Sequence, residues 1–350
     1  MRFDNVVILN SSAIVAVSIN LILILLIIKK SPHSLGSYKY LMMYISLFEL
    51  SYALIYIAKK PELFTYKSAF IVIINLKESF LPDIISIILD LMFIGYFGIS
   101  LGILALHFVY RYFSITNSPR LESFHSWKLA VWFAIPLLYG GVIMLTGGGL
   151  LCADQESDRL LKKSFTPLVE NTTHLNDIYY LGPYVWPEIP NSASEVYFSV
   201  KGAGGAIIVV SLISLSTCTI FYFGIRAYHR MNSLIAQSSC STKFKSVQKQ
   251  LFNALLFQTL IPIITIHTPS AVLYVTIFMN NSTLLVGQVM SFTLAIYPAL
   301  NPLPTIYFVK NYRNVVKGFF HENVSNAILS FQHFSHRPLV KRNAILHWHR

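Results

Sequence analysis

The chain has little charge and almost no cysteine. Asp, Glu, Lys and Arg make up only 12% of its 350 residues, about half their share in a soluble globular domain. The 54% that are hydrophobic fall in long unbroken runs rather than alternating or amphipathic patterns, and mean hydropathy is +0.57. Water cannot solvate that much apolar surface, whereas a bilayer can. A soluble enzyme and a disordered chain are excluded. The three cysteines, Cys152, Cys218 and Cys240, are too few for a disulfide scaffold. Cys218 lies inside an apolar run and the other two fall on opposite sides of the membrane, so no internal disulfide is expected. There is no Gly-rich phosphate loop, no His-Glu-x-x-His pair, and no Ser, His and Asp arrangement with suggestive context. No enzyme activity, cofactor or metal site is expected. His347 and His349, near the C-terminal end, make too weak a signal to assign one. There is no internal repeat and no low-complexity segment.

The apolar runs carry the architecture. A hydrocarbon core of about 30 Å takes about 20 apolar residues in a helix. Seven stretches meet that length, over 6–28, 40–58, 84–109, 129–151, 205–225, 251–278 and 284–309, and predict an all-α bundle of seven transmembrane helices within residues 1–309. The first is too long for a signal-peptide core and ends in Lys29 and Lys30 without a small-residue cleavage site, so it reads as an uncleaved span. Ala69 to Leu76 is too short to cross and is expected to be part of a loop. Residues 310–350 form a tail.

Charge orients the bundle. The connections 29–39, 110–128, 226–250 and 310–350 together hold 18 Lys and Arg against two acids, whereas the alternate set holds nine against eleven. Basic connections stay in the cytoplasm, which predicts an outside N-terminus and a cytoplasmic C-terminus in a multi-pass plasma-membrane protein. The sequons at Asn171, Asn280 and Asn281 fall on the predicted outside as candidate glycosylation sites. The connection 152–204 is long and aromatic, and predicts a lid over the bundle rather than a domain. A basic balance of +12 serves topology here, and no nucleic-acid partner is expected.

Four motifs in chain order resemble a known family. They are Ser34-Leu35-Gly36-Ser37-Tyr38-Lys39-Tyr40-Leu41-Met42, His107-Phe108-Val109-Tyr110-Arg111-Tyr112, Gln258-Thr259-Leu260-Ile261-Pro262, and Asn301-Pro302-Leu303-Pro304-Thr305-Ile306-Tyr307-Phe308. Together they resemble nematode seven-transmembrane chemoreceptors of the rhodopsin-like superfamily, in particular serpentine receptor class r (Str), over about residues 30–320. The resemblance implies a G-protein-coupled olfactory-type receptor in the membrane of sensory cilia, with a small apolar odorant and a heterotrimeric G protein as partners. This chain departs from the pattern at four points. Tyr110 stands where the familiar triplet has Asp, and Asn301 where many members carry Asp. The spacing to Tyr307 is longer than in the common receptor motif, and no cysteine tops the third span.

Within that frame, Tyr110, Arg111, Tyr112, Asn301, Pro302 and Tyr307 are the candidate switch residues. Pro302 and Pro304 remove backbone donors from the seventh helix, and Asn301 is expected to satisfy the freed carbonyls. Pro262 and Pro269 make a similar pivot in the sixth. Glu49 is the one acid deep in a span, where it would bind a cation, relay a proton or hydrogen-bond while protonated. Asp90 stands about 31 Å from Arg111 at 1.5 Å per residue, near the outer surface, and is expected to pair with outer-loop lysines. By depth, Phe93, Phe97, His267, Tyr274, Gln288 and Phe292 are candidate ligand contacts in the outer half of the bundle. Lys310, Arg313 and Lys317 alternate with apolar residues as in a short amphipathic helix on the lipid surface. The competing class is a seven-span transporter or ligand-gated ion channel. A transporter would show repeated halves and several mid-membrane polar groups, and a channel of the insect olfactory type would keep its N-terminus inside. A third alternative is an orphan chain that scaffolds other receptors.

Overall fold

A computed structural model describes residues 2–31, 35–76, 82–165, 178–189, 195–236 and 242–319. Among them, seven helical segments are long and apolar enough to cross a membrane. They are α1 (Arg2–Lys30), α2 (Tyr38–Lys59), α3 (Asp83–Ile115), α4 (Lys128–Gly149), α6 (Val200–Ala236), α7 with α8 (Thr242–Pro262 and Thr268–Phe278), and α9 with α10 (Leu284–Leu300 and Pro302–Phe308); a short α5 (Gln155–Leu160) follows the fourth. A last helix, α11, covers 310–319, where the amphipathic segment was expected. Helices outrun the hydropathy windows: α3 extends six residues past Val109, and α6 carries Arg226 and Arg230 within its final turns. A helix needs only its own backbone hydrogen bonds to continue, so it does not stop where the apolar run does.

The third span is the axis of the bundle. Every residue from Ser100 to Arg111 is buried, as befits a helix apolar around its whole circumference. Lipid gives helices no hydrophobic reason to associate, so close approach depends on small residues. A Cβ on Gly98 would stand 2.8 Å from the Tyr139 carbonyl oxygen, and one on Gly102 2.7 Å from Pro136 Cα, so α3 and α4 touch backbone to backbone.

One end of the bundle carries a sheet, contrary to the expectation of a loop over 69–76. Strands β1 (Glu62–Tyr66), β2 (Ala69–Asn75) and β3 (Ile178–Leu181) pair antiparallel in that order. The β2 sequence AFIVIIN is too short to cross a membrane, but its β-branched residues suit a pleat, here buried on both faces. Lys67, at positive φ in the hairpin turn, exchanges backbone bonds with Ser282, and the Ser68 carbonyl accepts from Val185. The Trp186 indole donates to the Phe278 carbonyl at 2.9 Å. The hairpin therefore ties together three connections at this end. The described part of 152–204 covers this end of the bundle, as expected of a lid, and supplies β3 as the third strand of the sheet.

At the opposite end, Tyr38, Tyr110, Phe113 and Phe124 pack as one aromatic cluster. Tyr312 of α11 is fully buried there, its hydroxyl 2.6 Å from that of Ser31.

Candidate functional site

Beneath the sheet lies a cavity of about 890 Å³ of empty space, its open mouth included. Its floor and walls come from the second, third, sixth and seventh spans, with smaller contributions from the fourth and fifth, and its roof from Leu63, Phe70, Val72, Leu181, Gly182 and Pro183. None of the lining residues is charged, and aliphatic side chains alternate with eight aromatic rings. Such a surface suits a compact neutral molecule that gives up little hydration on entry.

Three sequence-derived candidates, Phe93, Phe97 and Tyr274, line this cavity. His267, Gln288 and Phe292 do not. His267 closes a π-turn over Ile263–His267, its Nδ1 3.1 Å from the Pro262 carbonyl. Gln288 is exposed on the outer side of α9, and Phe292 is 46% exposed there. Met290, Leu294 and Tyr297 form the cavity face of that helix; a residue two positions away points about 200° around it. Phe48, Tyr52, Tyr96 and Ser100 also line the cavity and were missed. Their i,i+4 spacings, Phe48 with Tyr52 and Tyr96 with Ser100, were the available signal.

Below the cavity, Glu49 of the second span accepts from the Asn301 side-chain amide. The Asn301 carbonyl accepts from Gln258 Nε2 at 3.3 Å, so a polar chain joins the second, seventh and sixth spans where hydrocarbon offers no substitute partner. The carbonyl that Pro302 leaves without its i to i−4 donor is that of Pro298. Asn20 of the first span satisfies it at 2.9 Å, so the task expected of Asn301 falls to another helix. In the sixth span the π-turn occupies the interval between Pro262 and Pro269. Asp90 pairs with Lys59 at 3.5 Å, but both side chains are only 1% exposed, whereas the sequence reading put Asp90 near the surface.

At the end away from the sheet, Arg111 is 1% exposed rather than extended toward the lipid surface. Its guanidinium lies 3.6 Å from the centre of the Tyr38 ring, and Nη1 donates to Gln248 Oε1 on the sixth span at 3.2 Å. Tyr110 stacks on Tyr38 at 5.4 Å. A cation–π contact and one neutral acceptor thus stand where an acid could have held this arginine. Tyr112 packs against Phe223 at 5.5 Å. Tyr307 is 62% exposed on the outside of the bundle, apart from this cluster. Asn281 is exposed and Asn280 half-buried in the turn between α8 and α9, while Asn171 lies outside the described residues.

Glu188 clasps the lid, accepting from Lys67 and Lys163 at 2.7 Å each. Burial pushes its carboxyl up, but the hydrogen bonds from the two lysines outweigh this and hold it below the ordinary value of 4.5. A depressed carboxylate stabilises the fold above its unfolded pKa and loses that contribution as pH falls through the folded one. Amide hydrogen exchange in 178–189, relative to the intrinsic rate at each pH, is therefore expected to stay slow from pH 7 to 5 and to quicken below about 4.5. Glu188→Gln should make it fast throughout, and equal protection in variant and parent at pH 7 would disprove the clasp.

The model of the serpentine type 7TM GPCR chemoreceptor Str family matches residues 5–317. The chain is 33% identical over 305 residues to G-protein coupled receptor str-217 of Caenorhabditis elegans, which covers 86% of each chain. It is 25% identical to serpentine receptor class r-10 of the same organism over 301 residues, 85% of this chain and 86% of that one. Serpentine receptor class r-10 of Caenorhabditis briggsae is also 25% identical, over 312 residues and 88% of each chain.

Proposed function

The chain belongs to the serpentine type 7TM GPCR chemoreceptor Str family, and from that premise we propose that it is a chemosensory receptor for a small, largely apolar odorant, acting through a heterotrimeric G protein. The observation that carries the reading is the uncharged aromatic cavity roofed by the sheet. Excess basic charge in the connections of the other end supports an outside N-terminus and a cytoplasmic tail, and membership of the family implies the plasma membrane of a sensory cilium. The sheet end then faces the environment and Arg111 faces the G protein. Odorant in the cavity biases the proline-interrupted sixth and seventh spans, and the contact between Arg111 and Gln248 opens to form a cleft. Glycans on the outer sequons and lipid beneath α11 complete the setting.

The first test is accessibility of an epitope placed after Arg350: antibody should reach it only in permeabilised cells, and labelling of intact cells would refute this topology. The second is an odorant panel in cells reporting G-protein activation. For any odorant that activates, Phe97→Ala and Tyr274→Ala should each raise the half-maximal concentration about tenfold or more, the equivalent of one buried aromatic contact. Gln288→Ala and Phe292→Ala should shift it less than about twofold, within the range of surface substitutions. The reverse ranking would place the odorant elsewhere.

A further inference from the structure

We propose that Tyr52 is the specificity-determining residue of the cavity, and that the odorant carries one hydrogen-bond-accepting oxygen on an otherwise apolar skeleton. This deepens the reading of the cavity as the odorant site and rests on it. Tyr52 lines the cavity from the second span and is only 6% exposed. Of the lining residues, it alone has a buried polar side-chain atom without a hydrogen-bond partner among the described residues. Other lining donors are already engaged. Ser100 donates to the Phe97 carbonyl, Tyr96 to the Ser51 hydroxyl and Ser270 to the Met290 sulfur. The Gly182 amide donates to the Leu151 carbonyl at 2.8 Å.

An unmet hydroxyl in an apolar wall carries a desolvation cost that folding does not recover. Turning the ring cannot relieve it here. Tyr52 stacks on Phe93 with centroids 5.6 Å apart and tilts against Tyr96 at 5.9 Å, so its neighbours hold the ring in place. Phe48, one helical turn away, shares the same wall. A phenol both donates and accepts, but it donates more readily, because its lone pairs are drawn into the ring. The fixed O–H therefore favours a molecule with an acceptor, while the surrounding rings hold the hydrocarbon part. A donor held in position adds affinity with little ordering cost. A pure hydrocarbon of the same shape would fill the cavity and leave the hydroxyl unmet.

The test pairs ketones with their methylidene isosteres, in which a carbon replaces the carbonyl oxygen. Cyclohexanone is set against methylenecyclohexane, and a series of linear and branched ketones against their counterparts. The full chain in lipid nanodiscs is titrated with each isotope-labelled ketone, and the bound carbonyl stretch is read by difference infrared spectroscopy against empty nanodiscs. Displacement of that band gives the affinity of each alkene. For any pair that binds, the ketone should bind about tenfold more tightly, as expected of one neutral hydrogen bond. Its carbonyl stretch should lie at lower frequency than in lipid. Tyr52→Phe keeps the ring and removes only the hydroxyl; the preference should fall below about twofold and the stretch return to its value in lipid. The preference compares two ligands on one protein, so a loss of stability in the variant does not imitate this result. Should the variant not fold, the parent decides: an unshifted stretch there would overturn the proposal. Equal binding of ketone and alkene would mean that water serves the hydroxyl as well, and a preference retained in Tyr52→Phe would assign the oxygen to another donor. Either result overturns the proposal and leaves the cavity as the odorant site. If no member of either series bound or activated the reporter cells, the odorant reading would itself fail, and the proposal with it.

Discussion

Gly102→Val should remove most of the protein from the cell surface, by about tenfold in surface biotinylation. A valine there would press its Cβ onto Pro136 Cα at 2.7 Å, and backbone cannot turn aside as a flexible side chain can. Overpacking a core costs about 1–3 kcal/mol even where side chains can adjust, and about 1.4 kcal/mol is already a tenfold change in a folding equilibrium. The displacement would also spread, because α3 is buried from Ser100 to Arg111 and cannot move from α4 without meeting other spans. Gly141→Val is the control, since nothing lies within 4 Å of a Cβ at that position. If Gly102→Val and Gly141→Val reached the surface equally well, the backbone contact would not hold the bundle together.

The second large effect is expected at Gln248. Replacing its neutral acceptor with a carboxylate by Gln248→Glu turns the bond to Arg111 Nη1 into a charge-assisted one, roughly twice as strong. Arg111 is already desolvated, with Nε and Nη2 lacking other hydrogen-bond partners, so only the new carboxylate adds a burial cost. A net gain of about 1–2 kcal/mol for the closed arrangement corresponds to roughly tenfold in population. Basal and odorant-evoked G-protein activity should fall about tenfold at constant surface level, while Gln248→Leu should raise basal activity. Signalling by Gln248→Glu at the parent's level would show that this contact does not close the cleft.

Much of this architecture was legible in the sequence because the bilayer reads hydropathy over a length, and length survives without tertiary information. The seven spans needed only runs of about 20 apolar residues. The sheet was not legible, although Ile71, Val72, Ile73 and Ile74 carry its signal. Its third strand lies about a hundred residues further along the chain, and no local pattern announces so distant a pairing. In the cavity, depth could be counted along a helix but rotation could not. Phe93, Phe97 and Tyr274 have both the depth and the face, whereas Phe292 has the depth on the lipid side. The partner of Pro298 was hidden for a related reason: Asn20 is 278 positions away, and only the packed bundle brings the two together.

The roof over the cavity has a consequence for how this end opens. Main-chain hydrogen bonds and the Glu188 clasp hold β2 against β3, while Cys152 is a free thiol. Strands joined in this way separate without breaking a covalent bond. Opening of this end of the bundle costs only hydrogen bonds and ion pairs, and a reducing environment leaves that cost unchanged.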